Sequence, residues 1–288
     1  MPLHTKMVGR STQAITHTVD ARWIMAYAAA LGDFNPRYMD TQAHEVTAHP
    51  VFPVCLEWPV ILSSRTVPGY ESVTAAESAR GVHAAHDLHI LRPIVAGEVL
   101  TTQATIIGLR RIKPGAAQLS RLDTVDAAGM LVSRTYQLGI SRDVEVIGEA
   151  AASEEPPPLP ACARPWPQTQ RFAIPVAEGA AHVYTECARI WNPIHTDRAV
   201  ALRAGLPDII LHGTATMALA VGRLVDEYLG GDPTRVRRLG GRFTAMVLMP
   251  STLTLEVLGE ENGTLFFEVL TEEGRSAFSG GFLVQAQD

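Results

Sequence analysis

The sequence predicts an α+β fold built twice, each copy an antiparallel sheet wrapped around one long apolar helix. Three observations predict it. A helix-and-loop pattern recurs after 157 residues, both halves place helices before hairpin strands, and a proline-rich stretch divides them. In the first half apolar residues fall at Trp23, Ala26, Tyr27, Ala30 and Leu31, which is i, i+3, i+4, i+7, i+8, the spacing of one buried helix face. In the second half Ala180, Val183, Tyr184, Cys187 and Ala188 repeat it. The same shift carries Asn35-Pro36 onto Asn192-Pro193.

After each Asn-Pro comes a long apolar segment. In the second half it spans 209–229, with apolar residues all round, which suits a helix enclosed by other structure. Its counterpart at 49–64 carries Pro53 and Pro59. Proline is tolerated in a first turn but not inside a helix, so an irregular entry is expected there. Strands follow. Runs 252–260, 264–271 and 276–286 alternate and are joined at Glu261-Asn262-Gly263 and at Glu272-Glu273-Gly274. The first half repeats the plan at 98–109, 117–127 and 130–141, the last two joined at Ala128-Gly129. Between the halves, 151–167 holds six prolines, Pro156, Pro157, Pro158, Pro160, Pro165 and Pro167. Such a stretch lacks backbone donors and favours an extended linker, which sets the expected domains at 1–150 and 168–288.

Composition bounds the function. At 288 residues the chain is long enough for two domains of roughly 100–200 residues. A 47% apolar content with 19% charged residues supports a sizeable core. A net charge of −6 disfavours general nucleic-acid binding, which needs a basic face against phosphates. No apolar run is long enough to span a bilayer, and the start shows no secretory leader pattern. Cys55, Cys162 and Cys187 are too few and scattered for a disulfide framework or a zinc site, so a reducing cytoplasm is the expected setting.

The sharpest motif lies at 188–220. Asn192-Pro193-Ile194-His195-Thr196-Asp197, then Gly205, then Ile210-Leu211-His212-Gly213 resembles the MaoC-like dehydratases, which include the R-specific enoyl-CoA hydratases. The first half carries a weaker version, Gly32-Asp33-Phe34-Asn35-Pro36-Arg37-Tyr38. The resemblance covers nearly the whole chain. It implies a tandem (double) hotdog fold and reversible hydration of a 2-enoyl thioester, or dehydration of its 3-hydroxyacyl partner. The substrate it implies is carried by coenzyme A or acyl carrier protein.

The chemistry asks for few parts. Negative charge builds on the thioester oxygen while water adds at the β-carbon. A backbone N–H at a helix start meets the first need, and a residue without Cβ lets the thioester approach. By resemblance Gly213 is that donor. A base near neutrality meets the second need, and His195 fits. Asn192 and His212 would shape the site. No cofactor or metal is called for, because only water moves.

The family places an aspartate five residues before the histidine, but here that position is Ile190. In the first half the aspartate exists as Asp33, while the histidine position is Tyr38. Each half keeps one member of the pair, so Asp33 and His195 are expected in two different pockets. The supporting polar residue, counted eight on from Gly213, is the apolar Val221. Three readings stay open: thioester chemistry with His195 as principal base, thioester binding with little chemistry beside a competent subunit or a second copy, and thioester hydrolysis on the same scaffold. His195 has an alternative as a pin for the loop after Asn-Pro. Asp33 has the plainer alternative of a cap or turn residue after Gly32.

Weaker patterns complete the reading. His44 and His49 frame an imitation of a zinc-protease helix, but five-residue spacing puts them on different faces. His83, His86 and His89 recur every three residues, and odd spacing on a strand alternates faces. Arg235, Arg237, Arg238 and Arg242 form a basic cluster that would suit the phosphates of coenzyme A, or equally a strand edge guarded by charge.

Overall fold

A computed structural model describes residues 2–71, 73–78, 80–163 and 166–286. Pro165 of the proline-rich stretch lies outside them. In chain order the main elements are β1 (Ile15–Val19), α1 (Ala21–Ala30), α2 (Pro53–Ser63), β2 (Gly81–Ile90), β3 (Glu98–Ile112), β4 (Gly115–Val125) and β5 (Leu131–Arg142). The second half adds β6 (Gln170–Val176), α3 (Ala180–Ala188), α4 (Arg198–Arg203), α5 (Gly213–Tyr228), β7 (Val236–Phe243), β8 (Ser251–Glu261), β9 (Thr264–Leu270) and β10 (Ser276–Gln285). The six expected hairpin strands all form, with ends within three residues of the expected bounds. Asn262 and Gly263 both take positive φ, 52° and 72°, as a tight hairpin turn between right-twisted strands requires.

Two compact units result. One comprises Met1–His17, Leu56–His89 and Val99–Leu159; the other comprises Thr18–Cys55, Ile90–Glu98 and Pro160–Asp288. They do not coincide with 1–150 and 168–288: α1 and the Asn-Pro segment of the first half pack with the second half. The sequence pattern sets the order of elements, whereas burial of their apolar faces sets which elements group together.

In the first unit the strands run in the order β1-β3-β4-β5-β2. Val60 of α2 packs against Ala104 and Leu122 of that sheet. The helix begins at Pro53 and also keeps Pro59 inside it, contrary to the expectation that a proline would be excluded. A mid-helix proline costs about 3 kcal/mol, and the burial of Leu56 and Val60 helps offset it. On β2, His86 Nδ1 and His83 Nε2 lie 3.3 Å apart, so these two rings do meet. Strict alternation fails because His86, Asp87 and Leu88 are all buried in succession. His89 instead lies 3.4 Å from Asp87.

In the second unit β7-β10-β9-β8-β6 form the sheet, and α5 packs against β10. Met217, Ala218, Ala220, Val221, Leu224 and Val225 are buried along one broad face of α5, while Arg223, Asp226 and Glu227 on its other side are exposed. The α1 and α3 helices pack together. Their buried sets, Ile24, Tyr27 and Ala28 against Ala181, Tyr184 and Thr185, keep the 157-residue shift. The face is rotated by about one position from the expected one, and Val183 is exposed. The two tyrosine hydroxyls lie 3.3 Å apart. None of the three cysteines forms a disulfide.

Candidate functional site

His195 sits at the end of a short 3-10 turn, Pro193–His195, that Asn192 starts; the Asn192 carbonyl accepts the His195 backbone N–H at 3.1 Å. The ring is buried. Its Nδ1 donates to the Ile210 carbonyl at 2.8 Å, which leaves Nε2 as the lone-pair nitrogen. Burial pushes its pKa down to about 4, so the imidazole is neutral at pH 7. It stacks on His212, with ring centroids 3.7 Å apart. His212 is the residue before α5 and meets Thr185 Oγ1 at 3.1 Å. Burial, then the neighbouring His195, hold its pKa well below normal.

Gly213 is the first residue of α5, where a backbone N–H has no partner within the helix and the dipole is positive. A Cβ there would meet the Phe243 ring at 2.7 Å, so only glycine fits. Thr214 accepts the Tyr184 hydroxyl at 3.1 Å, which ties the helix start to α3. Ile190 is buried, and its carbonyl rather than its side chain faces His212. The site therefore brings together His195, His212 and the start of α5, with Asn192 contributing through its backbone.

Asp33 occupies a separate place in the same unit. Its Oδ1 accepts the Asn35 N–H at 3.1 Å, which is the turn role expected after Gly32. Its Oδ2 faces α5: a Cβ on Gly222 would meet it at 2.9 Å and would meet His49 Nε2 at 3.5 Å. Burial raises the Asp33 pKa to about 6, opposed by the Asn35 N–H and assisted by Asp226. Next to it opens a cleft of about 800 Å³ lined by Asp33, Asn35, Arg37, Gly222, Arg223 and Asp226, among others. No ion pair or hydrogen bond joins Asp33 to His195 among the described residues. His49 and Tyr38 were not singled out by the sequence reading as site residues. The available signal was that His49, like His212, stands just ahead of its half's long helix.

The arginines do not act as one cluster. Arg238 lies over the Phe282 ring at 5.4 Å, whereas Arg237 donates to the Thr234 carbonyl at 2.6 Å and Arg242 is exposed. Neighbouring positions on β7 point to opposite faces, which separates them.

A family model described as a MaoC like domain matches residues 166–277, and one described as FAS1-like, dehydratase domain region, matches 6–132. A MaoC-like dehydratase structure from Phytophthora capsici superposes with a TM-score of 0.82 at 22% identity, over 98% of each chain. The chain has the double-hotdog fold, and its residues 166–277 match a MaoC-like domain. A Mycobacterium tuberculosis protein described as having a double hotdog fold also superposes, with a TM-score of 0.62 at 15% identity over 97% of this chain and 96% of that one. Among curated proteins, enoyl-CoA hydratase 2, peroxisomal, of Arabidopsis thaliana is 32% identical over 90 residues, 31% of this chain and 29% of the relative. The aligned part spans less than a third of the first such relatives. No helix among the described residues is long and apolar enough to cross a membrane.

Proposed function

We propose that the chain catalyses reversible hydration of a 2-enoyl thioester, or dehydration of its 3-hydroxyacyl partner, on coenzyme A or acyl carrier protein, at the His195–Gly213 site. The observation that carries this is the His195 ring, neutral and stacked on His212 at the head of α5 with Nε2 left as its lone-pair nitrogen. Relatives named enoyl-CoA hydratase 2 and 3-hydroxyacyl-thioester dehydratase Y support the reaction class.

In hydration, His195 Nε2 takes a proton from water as the water oxygen bonds to the β-carbon. The electron pair moves to the thioester oxygen, where the Gly213 N–H and the helix dipole hold the charge. The imidazolium then returns its proton to the α-carbon, so every proton is accounted for. With Ile190 in the acid's place, the water is positioned by the imidazole alone. Arg237 and Arg242, exposed on β7, are the groups available to the phosphates of coenzyme A. A cytoplasmic setting fits a chain whose cysteines form no disulfide, although the Arabidopsis relative is named peroxisomal.

The test follows loss of the conjugated thioester absorbance with crotonyl-CoA and a bulkier enoyl-CoA. His195→Ala is expected to lower the rate by about 10²–10⁴-fold, the usual worth of a general base. An unchanged rate sinks the proposal. Tight thioester binding without turnover by any substrate would favour the second reading, a holding protein, which the buried Ile190 side chain favours. Release of free thiol would favour hydrolysis.

A further inference from the structure

The Asn-Pro turn of the first half carries polar groups that the His195 chemistry leaves unused. His49 is 1% exposed. Its Nδ1 accepts the Val51 N–H at 3.1 Å, so the neutral ring carries its proton on Nε2. That N–H is buried and lacks a full hydrogen-bond partner, with only the nearby Ala218 carbonyl as a weak acceptor. Tyr38 is fully buried, with its ring 5.6 Å from His49, and its hydroxyl is unpartnered. It lies close enough to Asp33 and Asp226 to feel their charge. Asp33 Oδ2 meets the same bare stretch of α5, at Gly222, that His49 Nε2 faces.

Two buried donors without full partners are costly, up to about 1–3 kcal/mol each, unless a bound molecule satisfies them. We propose that Asp33, Tyr38 and His49 form a second polar site, apart from His195, which takes the uncharged oxygen-bearing head of an acyl thioester. Its donors, the Nε2–H and the Tyr38 hydroxyl, suit a carbonyl or hydroxyl oxygen, and the Asp33 carboxylate accepts from a hydroxyl. An anion is excluded, because Asp33 and Asp226 stand together while the nearby Arg37 and Arg223 are engaged by Asp232 at 3.9 Å and Glu227 at 2.7 Å. Leu31, Phe34, Ala218 and Leu219 along the cleft offer apolar surface to the chain behind that head. Gly222 is glycine because any side chain would push into the carboxylate. The thioester identity rests on the function proposed above.

The test is calorimetric titration with 3-hydroxybutyryl-CoA, with crotonyl-CoA turnover measured alongside. The wild type is expected to show binding that survives His195→Ala but weakens at least ten-fold in Tyr38→Phe and in Gly222→Val. Tyr38→Phe removes a hydroxyl without a protein partner, so it should melt no lower than the wild type, and lost binding then reports the site rather than the fold. Binding that is indifferent to both Tyr38→Phe and Gly222→Val overturns the second site while leaving His195-dependent turnover standing. Absence of any thioester binding together with absence of turnover overturns both proposals.

Discussion

Glu57 sits on α2 with its carboxyl buried, accepting a hydrogen bond from Thr135 of β5. Burial raises its pKa from 4.5 to about 7. The folded state therefore holds this proton more tightly than the unfolded chain. Its contribution to stability is fully present below pH 4.5 and is lost as pH rises through about 7. Glu57→Gln should abolish that loss, changing the difference between the two proteins by about 3 kcal/mol from pH 4 to pH 8. Urea unfolding at several pH values checks it; parallel curves would show Glu57 is not the cause. Nothing in the sequence around Glu57 announces a buried carboxyl. Residue identity was legible where a motif fixed it, as at His195, and illegible where only packing decided it, as at Glu57 and His49.

At the scale of elements, the repeat was legible in detail because helix phase is written in the spacing of apolar residues. The 157-residue shift carries Gly32, with φ 67°, onto Arg189, with φ 57°. The first half ends its helix with the residue suited to that conformation, whereas the second uses an arginine at the end of α3. The guanidinium lies 3.8 Å from the centroid of Trp23, which compensates the backbone cost. Arg189→Ala keeps the strain and loses the stacking, and should destabilise by about 1 kcal/mol. Arg189→Gly loses the stacking but relieves the strain, and should cost less. Thermal melts of both variants decide it; equal losses would mean the conformation carries no strain. The rotation of the buried face by about one residue, which exposes Val183, was not legible. It depends on how closely α1 and α3 approach at Tyr27 and Tyr184.

Across the whole molecule the buried histidines set the response to acid. His49, His83, His86, His195 and His212 all have pKa values lowered, in each case chiefly by burial. Each is neutral when folded, so each contributes stability that is present above its ordinary value near 6.5 and is lost as pH falls. Glu57, Asp33 and Asp226 have raised pKa values and act in the opposite sense, but they are three against five. The urea midpoint should therefore fall between pH 7 and pH 4, and a midpoint that rises over that range would refute the assignment.

Taken alone, the sequence determined the order of elements, the duplication, the hairpins and the motif carrying His195 and Gly213, since periodicity, turn chemistry and residue spacing are local properties of a chain. Tertiary structure decided that residues 18–55 pack with the second half, that Arg238 lies on Phe282 instead of joining its neighbours, and that Asp33 meets His49 over Gly222. Those outcomes depend on which surfaces are buried together and on how closely a backbone without side chains lets them approach, and no spacing along the chain encodes either.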